Sequence, residues 1–446
     1  MAGQDQSGDF RMLCRAGADR RGSQTVNGLM TDGQANRPLK AGRPSPGPTR
    51  RGARPPRVML YSHDTFGLGH LRRTRALAAA ITEADPEASA LIVTGSPVAG
   101  RFAFPPKVDH VRLPGVTKLA DGSYASQALG LDIDETTNLR AGLIEVSAQN
   151  FQPDLLIVDK EPTGFRGELV PTLERLLSEG RCKLVLGLRD VLDEPDVLVE
   201  EWHRKNAVEA AERFYDELWV YGLRSVYDPT AGLPFSPALR NRMVFTGYLR
   251  RDLVDLGPPP EDPYVLVTPG GGGDGKAMVN LVLAAYEADP DLSPRAILVY
   301  GPFLSGDTRA EFEQRVQALN GRVEAVGFES QIETLFAGAQ GVISMGGYNT
   351  FCEVLSFDRP AVIVPRTVPR LEQYIRAQRA EEMGLVGMID EWRDGLTPQT
   401  MIQAIRGLAD RPRPSQAFPP GLMDGLDHVT ERVAALLALR QECAAE

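Results

Sequence analysis

Cysteine and histidine are scarce in this sequence of 446 residues. Four cysteines, Cys14, Cys182, Cys352 and Cys443, lie far apart and form no C-x-x-C pair. This spacing argues against a zinc site and against a disulfide scaffold, and it suits a reducing compartment. The five histidines show no H-E-x-x-H or similar ligand spacing. The sequence therefore predicts no bound metal ion and no metal cofactor.

Long apolar runs are also missing. No stretch of about 18 uninterrupted apolar residues occurs, so we expect no transmembrane segment. A composition of 42% hydrophobic and 24% charged residues is ordinary for a soluble protein, and the length exceeds what one core usually holds. We therefore expect a two-domain cytoplasmic protein, with peripheral contact at the inner membrane face as a further option.

Positive charge is scarce outside the N-terminal tail. Residues 1–57 contain 11 Lys or Arg and four Asp, a net charge of +7, which leaves −17 for the remainder of the net −10. Nucleic acid binding needs a basic face, so no nucleic acid partner is expected for the folded part. The Pro/Gly-rich tail is predicted to be disordered. Alternatives are a basic arm for membranes or nucleic acid, or translation that starts at Met30 or near Met59; an apolar secretory segment is missing.

Short apolar strands alternate with amphipathic helices from residue 58 onward. Five strands are predicted in the first half, at residues 58–62, 90–94, 155–159, 183–188 and 218–221. Three consecutive prolines, Pro258 to Pro260, interrupt the pattern, which resumes with strands at residues 264–268, 296–300, 323–326, 342–345 and 361–364. This alternation predicts an α/β fold of two parallel sheets with helices on both faces.

The interruption divides the chain into two Rossmann-like, doubly wound domains. The predicted parts are a tail at 1–57, a first domain at 58–250, a linker at 251–263, a second domain at 264–425 and a C-terminal helix at 426–446. Ligands bind beyond the carboxyl ends of parallel strands. We therefore expect a cleft between the two domains, lined by loops from both.

The loop after the first strand carries candidate chemistry. It contains Gly67, Gly69, His70, Arg72 and Arg73, and it opens a helix predicted over residues 71–81. A dinucleotide-binding fingerprint would need a third glycine where Arg72 stands, so NAD binding is not predicted. Histidine is the side chain most often used as a general base, and this loop lies at the carboxyl end of a strand. The alternative is that His70 only caps or orients the turn.

A second glycine-rich loop follows the first strand of the second half. Gly271, Gly272 and Gly273 are its centre, and bare backbone of this kind lets N–H groups approach phosphate or sugar oxygens closely. Lys276 is followed by Ala277 rather than Ser or Thr, so the loop lacks the P-loop order and an ATPase is not favoured. A merely flexible turn is the alternative.

A third loop joins an apolar strand to a helix through two glycines. It includes Gly346, Gly347, Asn349, Thr350 and Glu353. Strand, glycine turn and helix N-terminus together are the geometry that holds a diphosphate on backbone N–H groups. A glutamate one turn into the helix can accept two hydrogen bonds from a ribose. The structural alternative for Thr350 and Glu353 is a capping box at the helix start.

This third stretch resembles the donor-nucleotide site of GT-B glycosyltransferases, in particular family 28, which includes the bacterial lipid-linked GlcNAc transferase and plant galactolipid synthases. The resemblance covers roughly residues 58–440 and implies the GT-B fold. It implies that Glu353 binds the ribose, that Glu372 and Gln373 contact the donor sugar, and that Phe328 holds the base edge. It also implies that His70 is the acceptor base. The alternative for Phe328 is a core aromatic. Glu161 and Arg189 are acceptor-site candidates on a different ground, because each follows a strand of the first domain.

The resemblance also implies an activity. A hexose or N-acetylhexosamine would pass from a nucleotide-diphosphate sugar, a UDP-sugar as co-substrate, to a hydroxyl acceptor that is lipid-linked in some family members, without a metal. A nucleotide-sugar hydrolase with the same donor site is the nearest alternative. A nucleotide-sugar 2-epimerase of the same fold is less favoured. The non-enzymatic alternative is a protein that senses nucleotide sugars.

Three further motifs have open interpretations. Asp132 and Asp134 have the D-x-D spacing of metal-dependent transferases, but the pattern after them favours a solvated helix start. The segments 159–161 and 189–190 follow strands, so they can either bind the acceptor or form structural salt bridges. Phe102 and Phe104, between cations, suit either a membrane interface or, more commonly, a buried loop anchor.

Overall fold

The computed structural model describes residues 54–63, 69–119, 123–252, 258–271, 273–301, 303–329 and 331–443. Most of the predicted tail and residues 253–257 of the predicted linker lie outside this part, so these two predictions stay untested there. The tail boundary at residue 57 is wrong by a few residues. The Arg54 guanidinium pairs with Asp154 (2.9 Å), and Arg57 is already the first residue of a strand.

The first domain is built on a parallel sheet of seven strands with the order β3-β2-β1-β6-β7-β8-β9. A short antiparallel hairpin, β4 and β5, lies outside that sheet. The strands are β1 (Arg57–Ser62), β2 (Ser89–Thr94), β3 (Val108–Arg112), β4 (Val116–Lys118), β5 (Tyr124–Ser126), β6 (Leu155–Asp159), β7 (Lys183–Arg189), β8 (Glu217–Tyr221) and β9 (Met243–Phe245).

The second domain contains a parallel sheet of six strands with the order β12-β11-β10-β13-β14-β15. Its strands are β10 (Tyr264–Thr268), β11 (Arg295–Val299), β12 (Val323–Val326), β13 (Gly341–Ser344), β14 (Ala361–Ile363) and β15 (Gly387–Met388). In both sheets the order reverses beside the first strand, which is where doubly wound sheets open a ligand crevice.

Helices cover both sheets. Those of the first domain are α1 (Gly69–Ala84), α2 (Ile133–Phe151), α3 (Val170–Glu179), α4 (Pro195–Arg204), α5 (Ala207–Phe214) and α6 (Pro237–Arg240). Those that follow are α7 (Lys276–Ala288), α8 (Gly306–Ala318), α9 (Ile332–Gly338), α10 (Tyr348–Ser356), α11 (Glu372–Glu382), α12 (Pro398–Arg406) and α13 (Gly425–Cys443).

All ten predicted strands are present, with ends that agree within one residue. Strands β3, β9 and β15 and the hairpin of β4 and β5 were not predicted from the sequence. These strands are short or half-exposed; β3, for example, buries only its first residue fully, so no continuous apolar run marks it. Asp132 is the N-cap of α2 in a capping box with Glu135, which confirms the helix-start interpretation of the D-x-D spacing.

The last helix returns to the first domain. Helix α13 packs against α1 and the ends of β6 and β7. Polar contacts fix it there, since the His428 Nδ1 lies 2.6 Å from the Thr246 carbonyl oxygen and the Arg432 side chain pairs with Glu217. None of the described helices is both long and apolar enough to cross a membrane.

A buried ion pair joins the two domains. Arg376 of α11 donates from Nε and Nη2 to the two Asp190 carboxylate oxygens, at 2.7 and 2.6 Å, and both side chains are 2% exposed. The Tyr248 hydroxyl donates to the same carboxylate (2.9 Å), and Arg376 Nη1 donates to the Gly346 carbonyl oxygen (3.0 Å). Burial alone would lower the pKa of Arg376, but Asp190 outweighs burial and the pKa is raised.

We predict that Arg376→Met destabilises the protein by about 3–5 kcal/mol, because the Asp190 carboxylate is left buried without its cation. The double variant Arg376→Met with Asp190→Asn should regain at least half of this loss, since the introduced amide is neutral and its oxygen still accepts from Tyr248. Denaturant unfolding of both variants checks the prediction. Equal stability of the single and double variants would contradict it.

Candidate active site

A cavity of about 540 Å³ lies where the carboxyl ends of the two sheets face each other. Predicted site residues from both domains line it. These are Gly69, His70, Arg72, Arg73, Arg189, Gly271, Gly273, Phe328, Gly347, Asn349, Thr350, Glu353, Glu372 and Gln373. The described part of the structure thus brings together in one cavity loops that are far apart in sequence.

His70 is held at the start of α1 by the carboxylate that ends β6. Its Nδ1 is paired with Asp159 Oδ2, which leaves Nε2 as the ring nitrogen for a substrate. Arg73 holds the same carboxylate in a two-pronged contact, Nε to Oδ1 at 2.7 Å and Nη2 to Oδ2 at 2.6 Å. Burial would raise the pKa of Asp159, but Arg73 and then His70 lower it well below its usual range. Asp159 is therefore a carboxylate that orients the imidazole.

Arg72 reaches across the cleft from α1 to the second domain. Its Nη2 pairs with Glu353 on α10 and with Glu333 on α9, the latter at 2.9 Å. The Glu353 side chain is 1% exposed. Burial raises its pKa to about 7, against the opposing effect of Arg72. Glu353, the residue predicted to bind the ribose, therefore lines the cavity with Arg72 as its partner.

Helix α10 points its N-terminal end into the cavity. Gly347 is the N-cap and no side chain caps it, so the capping-box alternative for Thr350 and Glu353 is wrong. The first-turn residues Tyr348, Asn349 and Thr350 line the cavity. Asn349 Nδ2 donates to the Gly69 carbonyl oxygen (3.0 Å), which ties this end of the helix to the loop before His70. An uncapped helix N-terminus in a cavity favours an anion.

Glycine is required in the turn before α10. Gly346 has a φ of 72°, and a Cβ there would lie 2.6 Å from Ile363 Cγ2. Gly346 itself is not among the lining residues; its carbonyl accepts from Arg376 instead. Gly346 was predicted to contact the donor. In the structure it forms the turn before α10, and its carbonyl oxygen contacts Arg376.

The second glycine loop forms the opposite wall. Gly271 and Gly273 line it, whereas Gly272 lies outside the described residues, as does Gly67 of the first loop. Asp274 closes the loop through Arg366 Nε (2.7 Å), and Arg366 Nη2 also donates to Glu372 Oε1 (2.7 Å). The Arg366 backbone N–H donates to Gln373 Oε1 (3.2 Å). Glu372 and Gln373 are therefore held in defined orientations beside the loop.

Arg189, the last residue of β7, differs from the other arginines of the cavity. Within the described residues no carboxylate lies at ion-pair distance from it, and its Nε is buried without a hydrogen-bond partner. Burial lowers its pKa to about 10, and Glu372 only partly offsets that effect. A buried cation without a paired anion is a candidate for binding an anionic group of a ligand.

Phe328 lines the cavity and is part of an aromatic contact between the domains. Its ring meets Phe102 edge to face at 6.2 Å, and the Arg101 guanidinium lies 6.0 Å above it. Phe102 is 8% exposed, and Phe104 stacks on His110 at 4.7 Å. The segment with these two aromatics is therefore a buried loop anchor, as the commoner alternative predicted.

Glu161, like Gly346, does not line this cavity. It lines a second cavity of the first domain, with Lys205 as its partner (2.8 Å). Conversely, no motif in the sequence indicates a role for Arg366, and the position of Asp159 after a strand fits either acceptor binding or a structural salt bridge. The strand pattern could have indicated the role of Asp159. Strand β6 pairs in parallel with β1, so the residue that ends β6 lies beside the loop that follows β1 and carries His70. Among the described residues no three His, Cys, Asp or Glu side chains are grouped to hold a metal ion.

The second domain matches a known family. Residues 265–417 match the model of the glycosyltransferase family 28 C-terminal domain. A UDP-N-acetylglucosamine–N-acetylmuramyl-(pentapeptide) pyrophosphoryl-undecaprenol N-acetylglucosamine transferase of Rhodopseudomonas palustris is 27% identical over 218 residues, 46% of this chain and 54% of that protein. An uncharacterized glycosyltransferase of Methanosarcina acetivorans is 28% identical over 176 residues, 39% of this chain and 43% of that protein. The chain thus spans about half the length of these curated relatives.

Solved structures extend the likeness to nearly the whole described chain. A UDP-glucosyltransferase from Polygonum tinctorium superposes with a TM-score of 0.59 at 15% identity, over 87% of this chain and 99% of that one. MurG of Acinetobacter baumannii superposes with a TM-score of 0.53 at 13% identity, over 85% and 100%. The chain has the GT-B fold, and its second domain resembles the family 28 C-terminal domain, so the predicted fold class and the predicted family 28-like resemblance are confirmed.

We predict that Glu353→Gln changes how stability depends on pH. The folded-state pKa of Glu353, about 7, lies above its ordinary value of 4.5, so its stabilising protonated form is lost as pH rises through 7. From pH 5 to pH 8 the wild type should lose about 2–3 kcal/mol relative to Glu353→Gln. Urea unfolding of both proteins across this range measures the difference. A constant difference would contradict the raised pKa.

Proposed function

We propose that this protein is a glycosyltransferase that moves a hexose or N-acetylhexosamine from a UDP-sugar to a hydroxyl acceptor. One observation carries the proposal. Within a single cavity, an imidazole oriented by a carboxylate faces the uncapped N-terminus of α10 and the buried Glu353. A general base on one side and an anion site on the other are what transfer from a diphosphate donor requires.

The second domain supplies the donor site in this proposal. The α10 N-terminus and the glycine loop at Gly271 and Gly273 bind the diphosphate through backbone N–H groups. Glu353 accepts the ribose hydroxyls once Arg72 turns away from it, and Arg72 retains Glu333 as a partner. Glu372 and Gln373 bind the sugar, and the base lies against Phe328. The printed name of the Rhodopseudomonas relative, a transferase that uses UDP-N-acetylglucosamine, supports UDP as the nucleotide.

The reaction follows from these positions. His70 Nε2 takes the proton from the acceptor hydroxyl, whose oxygen forms a bond to the anomeric carbon as the bond to the diphosphate breaks. Asp159 keeps the imidazole in orientation and balances the charge it gains. The leaving diphosphate gains charge at the helix N-terminus and beside Arg189, the cavity cation without a paired carboxylate among the described residues. This mechanism uses only residues of the chain, so no metal is proposed.

Water in place of the acceptor would make the same site a nucleotide-sugar hydrolase. A protein that only senses nucleotide sugars would bind UDP without turnover. The assays that follow separate these alternatives, because acceptor-independent release of UDP identifies a hydrolase and binding without release identifies a sensor.

We predict micromolar binding of UDP by calorimetric titration, with weaker binding of ADP, GDP and dTDP. Glu353→Ala should weaken UDP binding at least tenfold, because it removes the acceptor for two ribose hydroxyls. Glu431→Ala, a change far along α13, is the control and should bind UDP normally. If no nucleoside diphosphate binds the wild type, the proposed function fails.

We predict that His70→Ala lowers kcat of UDP release by about 10²–10⁴ and leaves UDP affinity within about twofold, because the base acts on the acceptor proton alone. His110→Ala, which removes an imidazole outside both cavities, should retain wild-type kcat. Steady-state UDP release over a panel of UDP-sugars, with and without hydroxyl acceptors, gives the measurement. Unchanged kcat in His70→Ala would remove the base from the mechanism.

Replacing Arg189 tests the leaving-group role. Arg189→Gln should lower kcat by about 10²-fold or more. The leaving diphosphate would lose the one cavity arginine that, among the described residues, is not already paired with a carboxylate. Arg189→Lys should recover part of kcat, since the charge returns without the planar fork. A change confined to KM for the acceptor would instead place Arg189 with the acceptor.

A further inference from the structure

Part of the wall of the active-site cavity is apolar, and both domains contribute to it. The second domain contributes Val299, Phe328 and Ile332, and the first domain contributes Phe102. Each of the other described residues that line the cavity from the first domain is a glycine, a histidine or an arginine. Phe102 is therefore the described first-domain residue that adds an apolar side chain to the wall with Phe328, the proposed partner of the base.

Phe102 and Phe328 are in contact across the boundary between the domains. Their ring centroids are 6.2 Å apart and the ring planes meet at 86°, an edge-to-face arrangement. Arg101, the residue before Phe102, places its guanidinium 6.0 Å from the centroid of the Phe328 ring. A further ring would need about 3.5 Å to each of its neighbours, so none fits between the two phenylalanines unless one of them moves.

Arg75 of α1 holds the segment that carries Phe102. Its Nη2 donates to the Ala103 carbonyl oxygen (2.8 Å), and its guanidinium carbon lies 4.7 Å from the centroid of the Phe102 ring. Its Nε is buried without a hydrogen-bond partner in the described structure. Burial lowers the pKa of Arg75, and the neighbouring Arg72 lowers it further. A cation over an aromatic ring stabilises the position of that ring, so Arg75 is a positioning residue for Phe102.

The register of α1 relates Phe102 to the proposed ribose site. Arg72 pairs with Glu353, the proposed ribose ligand, and Arg75 contacts Phe102. The two arginines are three residues apart in the helix, so they are neighbours on its surface, about 4.5 Å apart along the axis. A base is bonded directly to its ribose. A nucleotide whose ribose binds Glu353 therefore has its base within reach of the wall that Phe102 and Phe328 form.

We infer that Phe102 determines which size of base the donor site accepts. Its ring, held by Arg75 and packed against Phe328, closes the base end of the cavity from the first domain. A pyrimidine lies against Phe328 without displacing Phe102, whereas the second ring of a purine has to displace it. The inference rests on the proposed function, since a nucleotide must bind in this cavity. It goes beyond that function because it gives the first domain a part in selecting the donor nucleotide.

The first test compares UDP with ADP, which carry a pyrimidine and a purine on the same ribose diphosphate. In the wild type, calorimetric titration should give a dissociation constant for ADP about 30-fold or more above that for UDP. In Phe102→Ala this ratio should fall by about fivefold or more, because ADP gains room and UDP loses an aromatic contact. Phe104→Ala is the matched control. It removes the neighbouring ring, which stacks on His110 and does not line the cavity, and it should keep the ratio within about twofold.

The outcomes separate the inference from the proposed function. If UDP binds the wild type and the ratio is unchanged in Phe102→Ala, the inference is wrong and the proposed function stands. If the wild type binds ADP as tightly as UDP, the site does not select by size and the inference is again wrong. If neither nucleotide binds, the proposed function fails and the inference fails with it.

Inorganic pyrophosphate shows whether the variant changes base recognition or the whole site. It lacks a base, so its affinity, measured by competition with UDP, should differ by less than about twofold between the wild type and Phe102→Ala. A loss of pyrophosphate affinity as large as the loss of UDP affinity would contradict a role at the base. Phe102→Leu fills more of the buried position and serves where the alanine variant does not fold. It should lower the ratio by about threefold, and an unchanged ratio there would overturn the inference.

The positioning role of Arg75 has a separate test. Arg75→Gln should lower the ratio of the ADP and UDP dissociation constants by about threefold, because the Phe102 segment loses its cation and a hydrogen bond. In the Phe102→Ala background the same change should have no further effect on the ratio, since Arg75 acts through that ring. Arg181→Gln, a change at an exposed arginine that pairs with Glu179, is the control. Equal effects of Arg75→Gln in both backgrounds would show that Arg75 does not act through Phe102.

Discussion

The buried pair of Asp190 and Arg376 determines where the two domains present their loops. Asp190 directly follows Arg189 at the end of β7, and Arg376 donates to the carbonyl of Gly346, two residues before α10 begins. The pair therefore fixes the distance between a first-domain cation and a second-domain helix N-terminus. Because both partners are almost fully buried, the domains cannot slide past each other without exposing or separating two charges, which costs several kcal/mol.

Charge pairing within the cavity separates residues that hold the site from residues that remain for a ligand. Arg73 and Asp159 satisfy each other, so their role is to orient His70 rather than to bind an anion. Arg72 has two carboxylate partners on the second domain and can release Glu353 while it keeps Glu333. Donor binding at Glu353 therefore exchanges one contact of Arg72 for ribose hydroxyls and leaves the interdomain contact in place.

The sequence predicted the sheets well because buried parallel strands are continuous apolar runs. The loops at Gly271 and at Gly347 each follow such a run. The sequence also identified most of the cavity, since chemistry collects at the carboxyl ends of these strands. It could not distinguish Gly346 as a turn from Gly347 as a cavity residue, because both are glycines at a helix start. It placed Glu161 with the cleft, but Glu161 lines the other cavity and pairs there with Lys205, a residue distant in sequence that no local pattern could identify as its partner.

The neighbouring imidazoles of His63 and His70 bear on the proton transfer in the proposed reaction. His63 and His70 lie at the boundary of two cavities, one beside the α10 N-terminus and one inside the first domain. In the proposed reaction His70 takes the acceptor proton, and the His63 ring is its neighbour, with ring centroids 4.4 Å apart. Because burial keeps His63 neutral, with its pKa well below the usual range, the proton taken by His70 adds no second cation beside an existing one. The neutral His63 ring therefore does not repel the charge that His70 gains from the acceptor proton.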